Sequence, residues 1–246
     1  MAGFFIKYGE KEHLQQIVDG KIRFTPSQTY IKLEEKQHNK GQGDLLEGKM
    51  KIKIESAEMY APETNEYLGT LPKSTVVISI QDVSNMPVFC LSHYGKESIT
   101  DVEGTLIIDI DAEHIDGVKK DFPKAMHALI FFEPEKLISS VEKIEGKHFI
   151  SDEIKYYDYD KNPIQMYMFL TTGTEKIQTG ERLSMTYDNR YRHLLCKDVA
   201  FENQREYRFI GLDDLISAPV FYDFKYYGKY LIVPIDDLMT KSIAVQ

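Results

Sequence analysis

The sequence predicts an α+β fold, a curved and mostly antiparallel sheet with flanking helices. Three observations carry this reading. Strand-like segments outnumber helix-like ones along the 246 residues. They do not alternate with helices in a regular β-α pattern, which disfavours a doubly wound sheet. Sixteen Tyr and 13 Phe without a single Trp supply side chains suited to a pleated, half-buried surface. No linker-like stretch divides the chain, so residues 1–246 read as one domain.

Taken in order, Phe4-Phe5-Ile6-Lys7-Tyr8 reads as a strand. Glu10 to Asp19 reads as a helix, with Leu14, Ile17 and Val18 on one face at the i, i+3, i+4 spacing. Gly20 is placed to end it. Lys21 to Thr25 returns as a strand, and Pro26 starts a helical turn through Tyr30, Leu33 and Glu34. The polar, glycine-bearing run Glu35 to Asp44 reads as a mobile loop, either a lid or a plain connection. Met50 to Glu55 alternates apolar and charged residues, the period of a half-exposed strand. Thr75 to Ile80 is its expected hairpin partner. Pro87 to Ser92 is apolar enough for a buried strand.

Thr105 to Ile110 reads as strand, Asp111 to Lys120 as helix and Ala128 to Phe132 as strand. Pro134 to Val141 opens a helix at a proline. Ile154 to Tyr159 reads as a strand ending in the turn Asp160-Lys161-Asn162-Pro163. Gln165 to Leu170 fits helix or strand equally. Thr171 to Arg182 looks irregular, and Arg190 to Cys196 helical. Glu206 to Ile210 is a strand. Val220 to Phe224 and Lys229 to Val233 read as a closing hairpin, and Ile235 to Leu238 as a short terminal helix.

The formal charge of −9 and the isoelectric point near 5.3 disfavour general binding to duplex nucleic acid, which calls for a basic surface. Cys90 and Cys196 form no C-x-x-C pair and read as reduced, mostly buried thiols, with one long-range disulfide as the alternative. The short apolar run after Met1 is no signal peptide, and no stretch approaches the roughly 20 apolar residues of a membrane span. A cytoplasmic location without membrane contact is the expectation. Neither standard glycine-rich phosphate loop is present, nor a G-x-S-x-G elbow, nor H-E-x-x-H. The seven His show no i, i+4 pairing, so no metal site is expected.

Three groups of residues could carry chemistry. In Phe201 to Phe209, a continuous strand would put Gln204, Glu206 and Arg208 on one face, with Gln204 and Glu206 roughly 6–7 Å apart. The amide could then orient a substrate and the carboxylate stabilise developing positive charge, as at an oxocarbenium-like ribosyl carbon. The plainer alternative is an ordinary Glu206–Arg208 ion pair on an edge strand. At the N-terminus, Lys7 and Tyr8 end one strand, and Arg23, Thr25 and Ser27 cluster around the next, followed by Tyr30. Arg23 could hold a phosphate in a bidentate fork, and Tyr8, Phe24 or Tyr30 could stack on a flat ring. In the third group, Ser92 and His93 point to opposite faces of a strand, which argues against a direct catalytic pair. His93 and Tyr94 could line a pocket mouth. Apolar neighbours make Cys90 a poor nucleophile.

The order of these blocks resembles a bacterial domain-of-unknown-function family. The matching pieces are Lys7-Tyr8, Gly20-Lys21-Ile22-Arg23-Phe24, Cys90-Leu91-Ser92, His93-Tyr94 and Gln204-Arg205-Glu206-Tyr207-Arg208. The layout is also similar to abortive-infection proteins and DNA-targeting ADP-ribosyltransferase toxins. The resemblance implies an ADP-ribosyltransferase-like fold, a role in phage–host conflict, and NAD or a related nucleotide as ligand. Glu206 would be the catalytic carboxylate with Gln204 its orienting partner. Lys7, Tyr8, Arg23, Thr25, Ser27, Tyr30, His93, Tyr94 and Arg208 would surround the cofactor. The alternative is a non-enzymatic module that sequesters a nucleotide or a protein partner. In the protein-binding form it would use an acidic, Tyr-rich surface including Tyr156, Tyr157 and Tyr159.

Overall fold

Eight residues rich in apolar side chains, Pro87–Tyr94 (β3), form the strand on which the main sheet is built. The computed structural model describes residues 3–37, 41, 43–103, 105–171, 173–177, 180–184, 186–240 and 243–245. Besides β3, the eight-stranded sheet contains β1 (Phe4–Gly9), β2 (Lys21–Pro26), β4 (His127–Phe131), β5 (Phe149–Glu153), β6 (Glu206–Gly211), β7 (Val220–Asp223) and β8 (Tyr230–Pro234). Its main path runs β5-β6-β3-β1-β4-β8, and every pairing in it is antiparallel. The expected α+β class with a mainly antiparallel sheet is what the chain adopts.

Along one edge β3 has two partners in succession. Thr25 and Pro26 of β2 pair with Val88 and Pro87. Phe4, Phe5 and Ile6 of β1 pair with Tyr94, His93 and Ser92. Between them β1 and β2 diverge. β1 continues along β4, with Lys7 opposite Leu129, and β2 continues along β7, with Arg23 opposite Phe221. Phe89, Cys90 and Leu91 are left without a strand partner on that side among the described residues, and the sheet is forked there.

Alternation along the strands buries both faces. On one, Phe5, Phe89, Leu91, Phe131, Tyr207 and Phe209 pack with Leu14 and Ile17 of α1 (Lys11–Val18). α2 (Gln28–Gln37) and α3 (Gln81–Asn85) come next in the chain. On the other face Phe4, Ile6, Tyr94 and Ile130 pack with Ile115 and Val118 of α4 (Ala112–Asp121). α5 (Pro134–Glu142) packs Leu137 and Val141 into the first cluster. Val83, Val88, Leu194 and Ile210 form a third cluster.

Several expected elements are altered, most of them by tertiary pairing that local pattern does not encode. Pro26 ends β2 opposite Pro87, so α2 starts at Gln28. Lys49–Ile54 does pair with Ser74–Ser79, but the connection carries its own hairpin, Ala57–Tyr60 with Tyr67–Leu71. The strand expected from Ile154 to Tyr159 is shortened to Lys155–Tyr157, which pairs in parallel with Cys196–Asp198. Gln165 to Leu170 belongs to a helix, α6 (Ile164–Leu170). The segment read as irregular holds a hairpin, Gly173–Ile177 with Gly180–Ser184. Arg190 to Leu195 lies in a 3₁₀ helix, Tyr187–Leu195. The closing hairpin does not form: β7 pairs with β2 and β8 with β4. A short α7 (Asp237–Thr240) follows. Of the loop expected from Glu35 to Asp44, residues 38–40 and 42 lie outside the described residues, whereas Gly41, Gly43 and Asp44 are buried.

Candidate functional site

The fork between β1 and β2 opens a cavity of about 450 Å³, within the range of small-ligand sites. β1 contributes Lys7, Tyr8 and Gly9, β2 contributes Lys21, Arg23 and Thr25, and β3 contributes Phe89 to Ser92. Leu14 and Ile17 of α1 close one side. Lys197, Gln204 and Glu206 close the other, together with Thr29, Tyr30 and Leu33 of α2. The side chains of Leu14 and Glu206 belong to opposite faces of the sheet, so the cavity runs through the fork.

Lys7 is the central cation. Its Nζ donates to Cys90 O at 2.6 Å, standing in for the strand neighbour that Cys90 lacks, and lies 4.9 Å from the Phe89 ring centroid. It has no carboxylate in ion-pair contact among the described residues. Burial pushes its pKa below the usual lysine value; Cys90 and Glu206 oppose this, and Arg23 adds to it.

Glu206 sits at the far wall in a buried charge network. Arg208 Nε and Nη2 reach its two oxygens at 3.0 and 3.1 Å. Lys197 Nζ lies 3.0 Å from Oε2. Arg208 also grips Glu47 through Nη1 and, at 3.0 Å, Nη2, and donates to Leu194 O at 2.7 Å. Burial alone would raise the Glu206 pKa, but the Arg208 and Lys197 charges outweigh it and hold the carboxyl far below the usual range. Asp44, at the edge of this network, is raised to about 6 by burial and by Glu47.

The proposed alternation over Gln204, Glu206 and Arg208 begins only at Glu206. Gln204 ends a 3₁₀ helix (Val199–Gln204), and Arg205 takes a left-handed conformation, φ 45°, before the strand starts. Gln204 still reaches the cavity. Its Oε1 accepts from Lys197 at 2.9 Å, and its Nε2 donates to Gly41 O at 2.7 Å and to Asp121 at 3.2 Å. The Glu206–Arg208 pair does form, but β6 lies between β5 and β3, so it is central rather than on an edge.

Of the residues expected around a cofactor, Lys7, Tyr8, Arg23, Thr25 and Tyr30 share the cavity with Gln204 and Glu206. Ser27 does not line it: it is fully buried, and its hydroxyl donates to Val83 O at 2.8 Å. Arg208 lies behind Glu206, also outside the lining. Tyr94 is buried against Phe4, ring centroids 5.2 Å apart, and linked to Tyr8 by a 2.5 Å hydroxyl contact. Its hydroxyl also meets His114 Nε2 at 2.7 Å. His93 meets Glu153 at 2.7 Å beside a second, smaller hollow. Cys90 and Cys196 are free thiols, both pushed up to about 12 chiefly by burial.

Sequence reasoning missed Lys197, Glu47, Asp44 and His114. Each is a single polar residue with no motif around it, and only the tertiary fold assembles them. Among the described residues no cluster of three His, Cys, Asp or Glu side chains is arranged to hold a metal, and no helix is long and apolar enough to cross a membrane. No family model, curated protein or solved structure matches the chain.

Proposed function

We propose that the chain binds a small anion bearing a flat ring, a mononucleotide or one half of an NAD-like dinucleotide, in the fork cavity. One observation carries this reading: Lys7 is a half-buried lysine on the cavity wall with no carboxylate in ion-pair contact among the described residues. A half-buried cation without a counter-ion keeps part of its desolvation cost uncompensated until an anion completes it. Arg23 on the neighbouring strand supplies a bidentate partner for phosphate. Tyr8, Tyr30, Phe89 and Phe122 supply aromatic wall. The resemblance described above suggests phage–host conflict as the setting, with sequestration of a nucleotide as the simplest activity.

Titration calorimetry with AMP, ADP-ribose, NAD and inorganic phosphate tests this. AMP should bind, phosphate alone more weakly, and Lys7→Met or Arg23→Ala should each weaken AMP by about tenfold or more, the cost of a lost charged hydrogen bond. No binding of any of these compounds at millimolar concentration would refute the reading.

A second reading, transfer of ADP-ribose from NAD in an ADP-ribosyltransferase-like fold, is favoured by the position of Gln204 and Glu206 on the same cavity as Arg23, Tyr8 and Tyr30. Against it, both Glu206 oxygens are already held by cations. A carboxylate so neutralised has little field left for a developing oxocarbenium. Nicotinamide release by the wild type, lost in Glu206→Gln with the fold intact by circular dichroism, would favour transfer. Binding without release would favour sequestration. The protein-binding alternative loses its surface at Tyr159, which is 1% exposed, whereas Tyr156 and Tyr157 are half-buried, the Tyr156 hydroxyl accepting from Glu206 N at 2.8 Å.

A further inference from the structure

We propose that Lys7 is a reactive amine that condenses with an anionic aldehyde or ketone admitted to the fork cavity, forming an imine. The proposal deepens the anion-binding reading and rests on it. Three geometric features single out this lysine. Its Nζ is inside a cavity large enough for a ring and a phosphate. It has no carboxylate in ion-pair contact among the described residues, and Arg23 lines the same space. Among the described residues its one hydrogen bond goes to a backbone carbonyl, Cys90 O.

The last feature fits the product as well as the reactant. An ammonium carries three N–H donors, and a protonated imine keeps one. The Cys90 carbonyl is already placed to receive that one, and the Phe89 face beneath Nζ favours a delocalised cation. Burial lowers the cost of forming the neutral amine that must attack. The charged and titratable groups around it are Arg23 on β2, Cys90 on β3 and Glu206 on β6.

The step balances within the site. The neutral amine adds to the carbonyl carbon, making the C–N bond. The carbonyl oxygen then leaves as water, carrying the two hydrogens the nitrogen gives up as C=N forms. From ammonium to protonated imine, no net proton and no electron are exchanged with solvent.

Pyridoxal 5′-phosphate is a suitable probe, since it joins an aldehyde, a flat ring and a phosphate. The protein is incubated with it at neutral pH, reduced with cyanoborohydride and mapped by peptide mass spectrometry. The expected result is one dominant adduct on Lys7, formed ahead of Lys21 and Lys124 of the same cavity. It should be lost in Lys7→Arg, which keeps the cation and a donor to Cys90 O but cannot form an imine. Label spread over exposed lysines with Lys7 unmodified overturns the proposal. AMP calorimetry on the same preparation separates the two readings. AMP binding without a Lys7 adduct sinks the imine and leaves the anion site standing. An adduct formed equally well with uncharged benzaldehyde, without AMP binding, supports the amine chemistry and removes the anion site.

Discussion

A guanidinium has five N–H donors, and five hydrogen bonds leave Arg208, to Glu206, Glu47 and Leu194 O. Removing one partner of a buried, fully engaged pair typically costs about 3–5 kcal/mol, because the remaining charge is stranded. Arg208→Met strands Glu47 and leaves Glu206 with Lys197 alone, and should lose about that much in urea denaturation. Lys197→Met should lose less, because Glu206 keeps its bidentate grip on Arg208. An equal loss in the two variants would contradict this ranking. The same network makes a pH prediction. The folded Asp44 carboxyl, at about 6, lies above the unfolded value of about 3.9. The folded state therefore binds the Asp44 proton more tightly. Stability from this group is full below about pH 4 and declines as the pH rises to 6, by roughly 3 kcal/mol. Glu206 has the opposite sign: its contribution is present above its unfolded value and is lost as the pH falls toward its depressed folded one. Asp44→Asn should flatten the decline between pH 4 and 6 and leave the acid limb in place. An unchanged slope in that variant would show that another group titrates there.

At the scale of elements, what was legible in the sequence is what local pattern determines. Leu14 and Ile17 at helical spacing gave α1, the apolar run through Val88, Phe89 and Leu91 gave β3, and the helix read from Asp111 to Lys120 is α4, which Asp111 precedes as N-cap, its side chain accepting from Glu113 N. Pairing was not legible. Nothing in Val220 to Phe224 says that it joins β2 across two hundred residues rather than its neighbour β8. Nor does Lys7 announce that β1 will leave β3 after Ile6. The site was half legible for the same reason: Glu206, Gln204, Arg23 and Lys7 lie on or beside readable strands, whereas Glu47 and Lys197 arrive from segments without a pattern. The partly buried chain from Tyr8 through Tyr94 to His114 ties β1, β3 and α4 together. Tyr94→Phe leaves the ring stacked on Phe4 but withdraws the shared hydroxyl from both neighbours. It should cost about 1–3 kcal/mol, the penalty for unmade buried hydrogen bonds. His114→Phe, which spares the Tyr8 contact, should cost less. If denaturation midpoints put the two variants in the reverse order, the three groups do not act as one chain.

For the molecule as a whole, the fork is a gap in the middle of its largest sheet. The β-ladder that would otherwise cross Phe89 to Leu91 is replaced there by one lysine, one carbonyl and a cavity. A ligand that fills the gap bridges β1, β2 and β6, elements whose separation requires the whole sheet to open, so binding should stabilise the chain against global unfolding rather than steady a single loop. Ligand held at one hundred times its dissociation constant adds about 2.7 kcal/mol when it binds only the folded chain. For a chain of this length each kcal/mol shifts the midpoint by about 2–4 °C, so saturating AMP should raise it by roughly 5–10 °C. Lys7→Met, binding about tenfold more weakly or worse, should cut the shift to about half or less, and Lys7→Arg should retain more of it, because the cation remains while its position against Phe89 changes. Hydrogen exchange read at the same ligand concentration should slow together in β1, β2 and β3. Protection confined to the exposed hairpin Ala57–Tyr60 with Tyr67–Leu71, or a midpoint shift undiminished in Lys7→Met, would mean that the ligand sits elsewhere and that the fork is only a structural seam.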